Sequence, residues 1–317
     1  MTPLNTSKIN ADKEHINKSA ITGTDRLNAA LRGDLLDRIG LFCNMFDQGA
    51  KELGLSIQDY YSKGEYVAEG QIKMREKYGY DNVWAFFYVG KEAEVLGCKS
   101  IIFSKDGPPN VADFIVKGYD DIKKLQIPDN ILDNRVFQEE LKCLNILKKE
   151  VGGKYPICVY ITSSMGLPIM LMGMEKWLEL LFMGDADARD ELLIKCSDFA
   201  AKQLNAYRDA GADVFVYSNP FGSTDIISMK FFKEVSLPWM ERDLKDFGTK
   251  SVVYYCGGYR FNNLIDAVID RLGFKAFYLS PFDDIAQAKK IIAGRGVTCG
   301  VMNDIPLIDF KESQIRA

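Results

Sequence analysis

The sequence predicts an α/β protein built as a (β/α)8 barrel of the TIM type. Short apolar runs rich in β-branched and aromatic residues alternate with segments of helical periodicity, which is typical of parallel strands joined by right-handed crossovers. The strands are continuously apolar rather than alternating, so we expect a sheet covered on both faces. No G-x-G-x-x-G motif follows a first strand and no G-x-x-x-x-G-K-S/T motif occurs, which favours a barrel over nucleotide-binding α/β folds.

The elements follow in order along the chain. A helix from Arg26 to Arg32 is predicted to be capped by Thr24-Asp25 and to end at Gly33. Strands are predicted at residues 39–44, 84–90, 100–104, 156–162, 213–218, 251–256, 276–280 and 297–302. Further helices are predicted at about residues 66–78, 136–150, 173–183, 186–210, 229–247, 261–272 and 283–293.

The strand count falls one short of a complete barrel. If residues 84–104 contribute one strand and an excursion, the sequence supplies seven barrel strands. Residues 308–317 have the pattern of the next helix, so we expect the barrel to lack its last β/α unit at the C-terminus, unless a strand is miscounted. Residues 1–21 are predicted to be a polar N-terminal extension and residues 22–317 a single barrel domain.

The composition excludes several functions. The chain has 40 Lys and Arg residues against 44 Asp and Glu residues, and this net charge of −4 does not favour nucleic-acid binding. His15 is the only histidine and lies in a polar N-terminal stretch, which nearly excludes chemistry built on imidazole, including Ser-His-Asp triads, Cys-His dyads and two-histidine zinc motifs. The sequence has no membrane-length apolar run and no signal peptide, so we expect a cytoplasmic protein with mostly buried, reduced thiols.

Polar and reactive side chains follow the predicted strands at their C-terminal ends, where barrel enzymes place their active sites. Tyr254 and Cys256 share one face of their strand, and Cys299 and Asn303 share one face of theirs. If those faces point inward, thiol, phenol and amide groups meet in one pocket. The candidates are Asn44, Asp47, Tyr160, Ser164, Tyr217, Asn219, Tyr254, Cys256, Tyr278 and Asn303. The open alternative is that these are buried thiols, turn formers and core aromatics.

Several segments resemble the uroporphyrinogen decarboxylase superfamily and, more narrowly, its corrinoid-dependent methyltransferase branch. They are Arg26–Asp34 with Asp37-Arg38-Ile39, Gly211-Ala-Asp213, Ile227-Ser228 with Phe232 to Leu237-Pro238, Tyr254-Tyr-Cys256-Gly257, and Met302-Asn303-Asp304. The resemblance spans about residues 24–310 and rests on the order and spacing of these segments together. It implies a (β/α)8 barrel with its pocket at the C-terminal ends of the strands.

The resemblance implies one of two chemistries. Decarboxylases of the superfamily bind a polycarboxylate tetrapyrrole through arginines after the first strand, and residues 43–49 contain no Arg. A polycarboxylate would leave unpaired charges there, which disfavours decarboxylation. Methyltransferases of the branch move a methyl group between a substrate or thiol and the cobalt of a separate corrinoid protein. The chain has no D-x-H-x-x-G motif of corrinoid binding, so the corrinoid must arrive on a partner docked over the barrel mouth.

The resemblance also bears on zinc. Several relatives hold zinc through a His-x-Cys pair and a distant C-terminal Cys, and the pair aligns here with Tyr254 and Cys256. Cys256 is thus the one metal ligand retained, whereas protein zinc sites normally have three or four ligands. In the absence of zinc, Tyr254 is expected to protonate a departing alkoxide or phenoxide, with Asn219 and Asn303 as hydrogen-bond donors.

The favoured hypothesis is a methyltransferase acting between a small methylated substrate or thiol acceptor and the cobalt of a partner corrinoid protein. Tyr254, Cys256 and Asn219 are its predicted catalytic residues, and the other candidates are predicted to bind substrate. A uroporphyrinogen-decarboxylase-like lyase is the first alternative, and arginines lining the pocket would support it. A non-catalytic, truncated barrel is the second alternative, supported by the missing strand and zinc ligands.

Overall fold

The computed structural model describes residues 21–105, 107–300 and 309–315. Its strands are β1 (Val83–Trp84), β2 (Ile101–Ile102), β3 (Asn110–Val111), β4 (Ile157–Thr162), β5 (Val214–Ser218), β6 (Val252–Tyr255), β7 (Ala276–Tyr278) and β8 (Val297–Cys299). β1, β4, β5, β6, β7 and β8 form, in that order, one parallel sheet. β2 and β3 form a separate antiparallel pair in the excursion after β1.

Helices connect and cover these strands. They are α1 (Gly23–Arg32), α2 (Gln48–Leu53), α3 (Ile57–Tyr60), α4 (Gly64–Tyr78), α5 (Lys91–Val95), α6 (Tyr119–Lys124), α7 (Arg135–Val151), α8 (Leu167–Met172), α9 (Met174–Met183), α10 (Ala186–Asp209), α11 (Met229–Phe231), α12 (Leu237–Leu244), α13 (Ile265–Leu272), α14 (Ile285–Ile292) and α15 (Glu312–Ile315). Within the described ranges, none of these helices has the length and apolar character needed to cross a membrane.

The second half of the chain confirms the predicted alternation of strands and helices. Each of β4 to β8 begins within one residue of its predicted start. The helix predicted at 229–247 is divided, because a π-helical turn, Phe232–Ser236, separates α11 from α12. Pro238 has no N–H to donate to the carbonyl of Glu234, so a regular helical ladder cannot continue across this point. Residues 301 and 302 of the last predicted strand lie outside the described residues.

The first helix begins earlier than predicted. Thr22, and not Thr24, caps α1, because its side chain accepts from the Asp25 amide at 3.1 Å while the Asp25 carboxylate accepts from the Thr22 amide at 2.9 Å. This reciprocal arrangement is a capping box. Gly33 ends the helix as predicted, in the left-handed conformation with φ 76°.

Residues 39–44, predicted as the first strand, form no strand. The amide of Leu41 donates to the Asp81 carboxylate at 2.7 Å, and the amide of Cys43 donates to the Asn82 side-chain oxygen at 2.9 Å. These two amides therefore donate to side chains and not to the carbonyls of a neighbouring strand. The segment still runs beside β1, but as irregular backbone.

One buried carboxylate organises the N-terminal region. Arg26 donates to Asp81 at 2.9 Å and Arg38 donates to it at 2.6 Å, and the Asp81 side chain is 1% exposed. Burial by itself would raise the pKa of Asp81, but its hydrogen bonds to Arg38 and to the Leu41 amide outweigh burial and hold the pKa below its ordinary value. Arg26 and Arg38 both belong to the N-terminal segments that carry the family resemblance, so these segments fold around the Asp81 side chain.

Of the strand predicted at 84–90, only Trp84 belongs to a strand, the two-residue β1. Beyond Trp84 the chain leaves the sheet and turns at Gly90, which has φ 89°, into α5. The run predicted at 100–104 contributes only β2 to the excursion. Periodicity alone cannot separate a strand from a buried loop of the same composition.

The register of the sheet defines two faces. Tyr160 pairs with Val216 on what we call the inner face, and Tyr255 pairs there with Tyr278. The outer face packs against the helices and holds the main apolar core, including Ile161, Tyr217, Tyr254 and Phe277. A smaller cluster fills the inner face: Trp84, Cys158, Val214 and Val216, with Leu27, Phe46, Tyr160, Val253 and Tyr255 packed against it. Both faces are thus apolar, as the continuous hydrophobic strands predict.

Candidate active site

A pocket opens at the C-terminal ends of the strands, and its walls are mainly aromatic. The cavity volume is about 260 Å³. Seven aromatic side chains line it: Phe46, Trp84, Phe87, Tyr88, Tyr160, Tyr255 and Tyr278. The rest of the lining is Val89, Pro108, Val216, Asn44 and Asp47. Among the described residues, this lining includes no Lys, Arg or His, so an anionic ligand would find no cation there.

The aromatic rings form a continuous series of contacts. Between ring centroids, Phe46 lies 5.1 Å from Phe87, and Phe87 lies 4.3 Å from Tyr160. Tyr255 lies 6.4 Å from Tyr160 and 4.9 Å from Tyr278. The planes of these successive pairs differ by 54°, 38°, 73° and 81°. Neighbouring rings therefore form walls that face different directions around one volume.

A loop before α2 closes the pocket on one side. The carbonyl of Cys43 accepts from the Trp84 indole at 2.9 Å, which holds the loop against β1. The Asn44 side chain donates to the Tyr278 hydroxyl at 2.9 Å. Because β1 and β7 lie near opposite ends of the sheet, these two contacts join both ends across the pocket.

Asp47 is the acidic residue of the pocket lining. The Tyr61 hydroxyl donates to its carboxylate at 2.8 Å. Burial raises the pKa of Asp47 from its ordinary value, and the bond from Tyr61 opposes that rise. The position is fixed by close packing of α2 against α3 and α4, because a Cβ added at Gly49 would overlap the Tyr60 hydroxyl of α3 and one added at Gly70 of α4 would lie 3.1 Å from Gly49 Cα. The structure thus holds one carboxylate at the pocket in a partly buried position.

A buried charged network supports the pocket wall at α5. Lys91 Nζ lies 3.3 Å from Glu140 Oε1 and donates to the Tyr207 hydroxyl at 2.9 Å. Burial raises the pKa of Glu140 to about 7, although Lys91 acts to lower it. Glu92 accepts from the Thr162 hydroxyl at 3.2 Å, which ties α5 to the end of β4. These groups line no part of the pocket; they hold the segment that does.

Two predicted substrate ligands, Tyr217 and Ser164, lie outside the pocket. The Tyr217 hydroxyl donates to the Asp243 carboxylate at 2.6 Å, and the Ser164 amide donates to the same oxygen at 2.8 Å. Asp243 belongs to α12 and is 2% exposed, and burial raises its pKa. The contacts attach a covering helix to the outer face of the sheet.

Tyr254, the predicted acid, also lies on the outer face. Its hydroxyl donates to the carbonyl of Gly222 at 3.0 Å, and its ring packs edge-on against Phe261 and Phe274, with centroids 5.2 Å and 5.4 Å away. The register decides this orientation, because Tyr255 is the residue of β6 that pairs with Tyr278 on the inner face. Tyr254 is fully buried and contributes nothing to the pocket lining.

The other predicted catalytic residues hold loops. The thiol of Cys256 is buried and donates to the carbonyl of Tyr259, and burial raises its pKa. The Asn219 side chain donates to the Ser236 hydroxyl at 3.0 Å and accepts from the Phe221 amide at 3.1 Å. Asn303 lies outside the described residues.

The residues around Cys256 do not fit a zinc site. Tyr254, which was predicted to take the place of a zinc-binding histidine, has its hydroxyl bound to a backbone carbonyl, and the Cys256 thiol is bound to another. In the part of the chain that the structure describes, no three His, Cys, Asp or Glu side chains are grouped closely enough to share a metal ion. We therefore derive no step that passes through zinc.

The structure brings together four of the predicted substrate ligands and adds residues that the sequence prediction missed. Asn44, Asp47, Tyr160 and Tyr278 all line the pocket. The missed residues are Phe46, Trp84, Phe87, Tyr88, Val89, Pro108, Val216 and Tyr255. A signal for two of them was present, because aligning the strand ends places Val216 and Tyr255 on the face of Tyr160 and Tyr278. The loop residues Phe87 and Tyr88 carried no such signal.

Comparisons with known proteins agree with this geometry. Residues 22–317 match the family described as uroporphyrinogen decarboxylase (URO-D). The chain is 24% identical over 306 residues to the methylcobamide:CoM methyltransferase MtaA of Methanosarcina barkeri, covering 94% of this chain and 88% of the relative. It is 23% identical over 246 residues to a methylated-thiol–coenzyme M methyltransferase of Methanosarcina mazei, covering 75% and 65%. The structure is similar to that of a methyltransferase from Methanosarcina mazei, with a TM-score of 0.79 and 20% identity over 94% of this chain and 88% of the other.

The chain belongs to the uroporphyrinogen decarboxylase family, since the family match extends over nearly its whole length. The structural similarity confirms the predicted α/β fold of the TIM-barrel type. The curated relatives are methyltransferases, so the predicted resemblance to the methyltransferase branch is confirmed as well.

Proposed function

We propose that this chain is a corrinoid-dependent methyltransferase. It moves a methyl group between a small methylated substrate or thiol acceptor and the cobalt of a corrinoid held by a partner protein. The observation that carries the proposal is the aromatic pocket at the C-terminal strand ends of a chain similar, over 94% of its length, to a methylcobamide methyltransferase. The partner protein would dock over the pocket mouth, since the chain has no corrinoid-binding motif of its own.

The pocket suits a reaction that depends on position. Methyl transfer needs the methyl carbon held in line between the atom it leaves and the atom it joins, and fixing this geometry lowers the barrier. Tyr160 and Tyr255 form rigid walls on the inner face, and Asn44 fixes the phenol of Tyr278 beside them. Burial raises the pKa of Tyr278 to about 12, so it remains a neutral hydrogen-bond donor at physiological pH.

We propose Asn44, Asp47, Tyr160 and Tyr278 as the substrate-binding residues. The contacts of Tyr254, Cys256 and Asn219 support structural roles, so these three need not touch the substrate to affect activity. The decarboxylase alternative loses support, because the described pocket lining contains one carboxylate and no cation. A polycarboxylate substrate would be repelled there.

Methyl transfer can be followed directly in the cobalt spectrum. The protein is mixed either with a cobalt(I) corrinoid protein and methyl ethers, thioethers or methylated amines, or with a methylated corrinoid protein and thiols. A spectral change that depends on the chain supports the proposal. No change with any donor or acceptor would exclude it.

A matched pair of variants tests the site. Asn44→Ala removes the donor to Tyr278, and we expect the transfer rate to fall by about tenfold because the pocket loses a fixed hydrogen bond. Asn145→Ala, at an exposed position of α7, removes the same side chain away from the pocket and should leave the rate unchanged. Equal rates in both variants would place the site elsewhere.

A further inference from the structure

We propose that the substrate of this pocket is a methylated onium cation, either a quaternary ammonium or a sulfonium, which acts as the methyl donor. The inference rests on the proposed function and names its substrate class. Aromatic rings on several sides together with one carboxylate form the arrangement that recognises a cation carrying methyl groups.

The ring geometry carries the first step. Phe87, Tyr160, Tyr255 and Tyr278 follow one another in contact, with successive planes turned by 38°, 73° and 81°. Rings turned in this way present surfaces to one volume from several directions. A cation placed among them is attracted by the negative ring faces, and its methyl groups fill the apolar space between them.

The charge distribution carries the second step. Asp47 is the acidic side chain at the cavity, and in the described lining no cation neutralises it. Its carboxylate accepts a hydrogen bond from the neutral phenol of Tyr61 at 2.8 Å. A partly buried carboxylate without an ion pair favours a ligand that brings positive charge. A neutral ether or thioether would leave that carboxylate uncompensated.

The chemistry of the leaving group carries the third step. In transfer from a quaternary ammonium, the carbon–nitrogen bond breaks and its electron pair stays on nitrogen, which departs as a neutral amine. The methyl carbon bonds to cobalt(I) of the partner's corrinoid, which supplies the electron pair and is formally oxidised to cobalt(III). A sulfonium reacts likewise and leaves as a neutral sulfide. No proton is needed, which agrees with pocket tyrosines whose pKa values burial raises.

The test measures binding without any corrinoid protein. Choline carries a positively charged trimethylammonium group where 3,3-dimethylbutan-1-ol carries a neutral tert-butyl group of nearly the same shape. Calorimetric titration of the full chain is expected to show at least tenfold tighter binding of choline, because only the cation gains from the rings and the carboxylate. Trimethylsulfonium, titrated separately, shows whether sulfur onium ions are also accepted. Equal affinities for choline and the neutral alcohol would overturn the proposal.

Two carboxylate variants locate the effect. Asp47→Asn keeps an oxygen that can accept from Tyr61 and removes the charge, so choline should bind about tenfold more weakly while the alcohol is unaffected. Asp246→Asn removes one negative charge from an exposed position just after α12, away from the C-terminal strand ends that form the pocket. It should change neither the affinity for choline nor that for the alcohol. An equal loss of choline affinity in both variants would indicate general attraction and would overturn the site.

Transfer assays separate this inference from the proposed function. Methyl transfer to cobalt(I) corrinoid protein from an onium donor, and not from neutral ethers or thioethers, supports both. Transfer from neutral donors alone overturns the onium inference and leaves the methyltransferase proposal in place. Selective choline binding without transfer from any donor or to any thiol acceptor supports the onium site and contradicts the methyltransferase proposal.

Discussion

The inner and outer faces of the same strands use the same residue type for different purposes. On the inner face, Tyr160, Tyr255 and Tyr278 are tyrosines that line the pocket. On the outer face, Tyr217 and Tyr254 are fully buried, and their hydroxyls bind a helix carboxylate and a loop carbonyl. Because side chains alternate along a strand, two tyrosines that are adjacent in sequence lie on opposite faces, one in the pocket and the other in the core.

The comparison teaches that residue identity near a strand end is a weak guide to function. Tyr254 and Tyr255 are adjacent, chemically identical and at the end of the same strand, yet only Tyr255 lines the pocket. The outer-face tyrosine hydroxyls are both hydrogen-bonded within the protein, whereas the inner-face rings bound an open volume. Mutations on the two faces should therefore differ in kind, affecting stability on one face and ligand binding on the other.

The largest expected effect separates the two tyrosines of β6. Tyr254→Ala should lower the free energy of unfolding by about 3–5 kcal/mol, because it leaves a cavity among Phe261 and Phe274. Tyr255→Ala should cost roughly half as much, since its side chain is partly exposed, but it should weaken choline binding. Urea denaturation and titration calorimetry measure the two quantities. Equal stability losses would contradict the assignment of faces.

The next effect concerns the carboxylate that holds the pocket loop. Asp81→Asn should lower the free energy of unfolding at neutral pH by about 2–3 kcal/mol, since Arg38 loses its ionic partner and Arg26 loses one of two, although Arg26 keeps Asp37 and Arg38 still reaches water. Because the folded-state pKa of Asp81 is lowered, its contribution is present above the unfolded-state value of about 3.9 and is lost as pH falls through the folded-state value. Denaturation at about pH 7 and pH 3 should show the difference from the wild type shrinking in acid. A difference independent of pH would show that the charge contributes nothing.

A smaller effect is expected from removing one outer-face hydroxyl. Tyr217→Phe leaves the buried Asp243 carboxylate without its phenol donor and should cost about 1–3 kcal/mol of stability. Choline affinity should stay at the wild-type value, because the residue does not line the pocket. Thermal denaturation with parallel calorimetry makes the measurement. A selective loss of affinity would assign Tyr217 to the site after all.

The smallest effect is expected for zinc. The Cys256 thiol donates to the Tyr259 carbonyl, and the described residues provide no ligand set around it. Metal analysis of the purified protein should therefore give less than one zinc per chain, with no further decrease in Cys256→Ser. One tightly bound zinc per chain that is lost in Cys256→Ser would instead assign the loop after β6 to the functional site.

The later repeats were predictable because their signals are local. Parallel strands buried on both faces give apolar runs, and the connecting helices are long enough to show their periodicity, so β4 to β8 begin where predicted. Residues 39–44 have a similar composition, but the side chains of Asp81 and Asn82 occupy their amides. That competition arises from residues about 40 positions away in sequence, and no local pattern records it.

The candidate site was predictable in part for the same reason. Asn44, Asp47, Tyr160 and Tyr278 were found because the carboxyl ends of parallel strands meet at one edge of a sheet. Tyr254 was placed in the site, although it lies outside the pocket lining, because the direction of a strand's faces depends on its register with neighbours. Phe87 and Tyr88 were missed because they leave the sheet after two residues of β1.

The sequence by itself determined the fold class, the family resemblance and a composition with a single histidine, because periodicity, motif order and composition are properties of the chain alone. The tertiary structure decided that Tyr255 and not the adjacent Tyr254 lines the pocket, and that one carboxylate lies among seven rings with no cation in the described lining. Strand register and loop closure depend on contacts between distant residues, so these features exist only once the chain is folded.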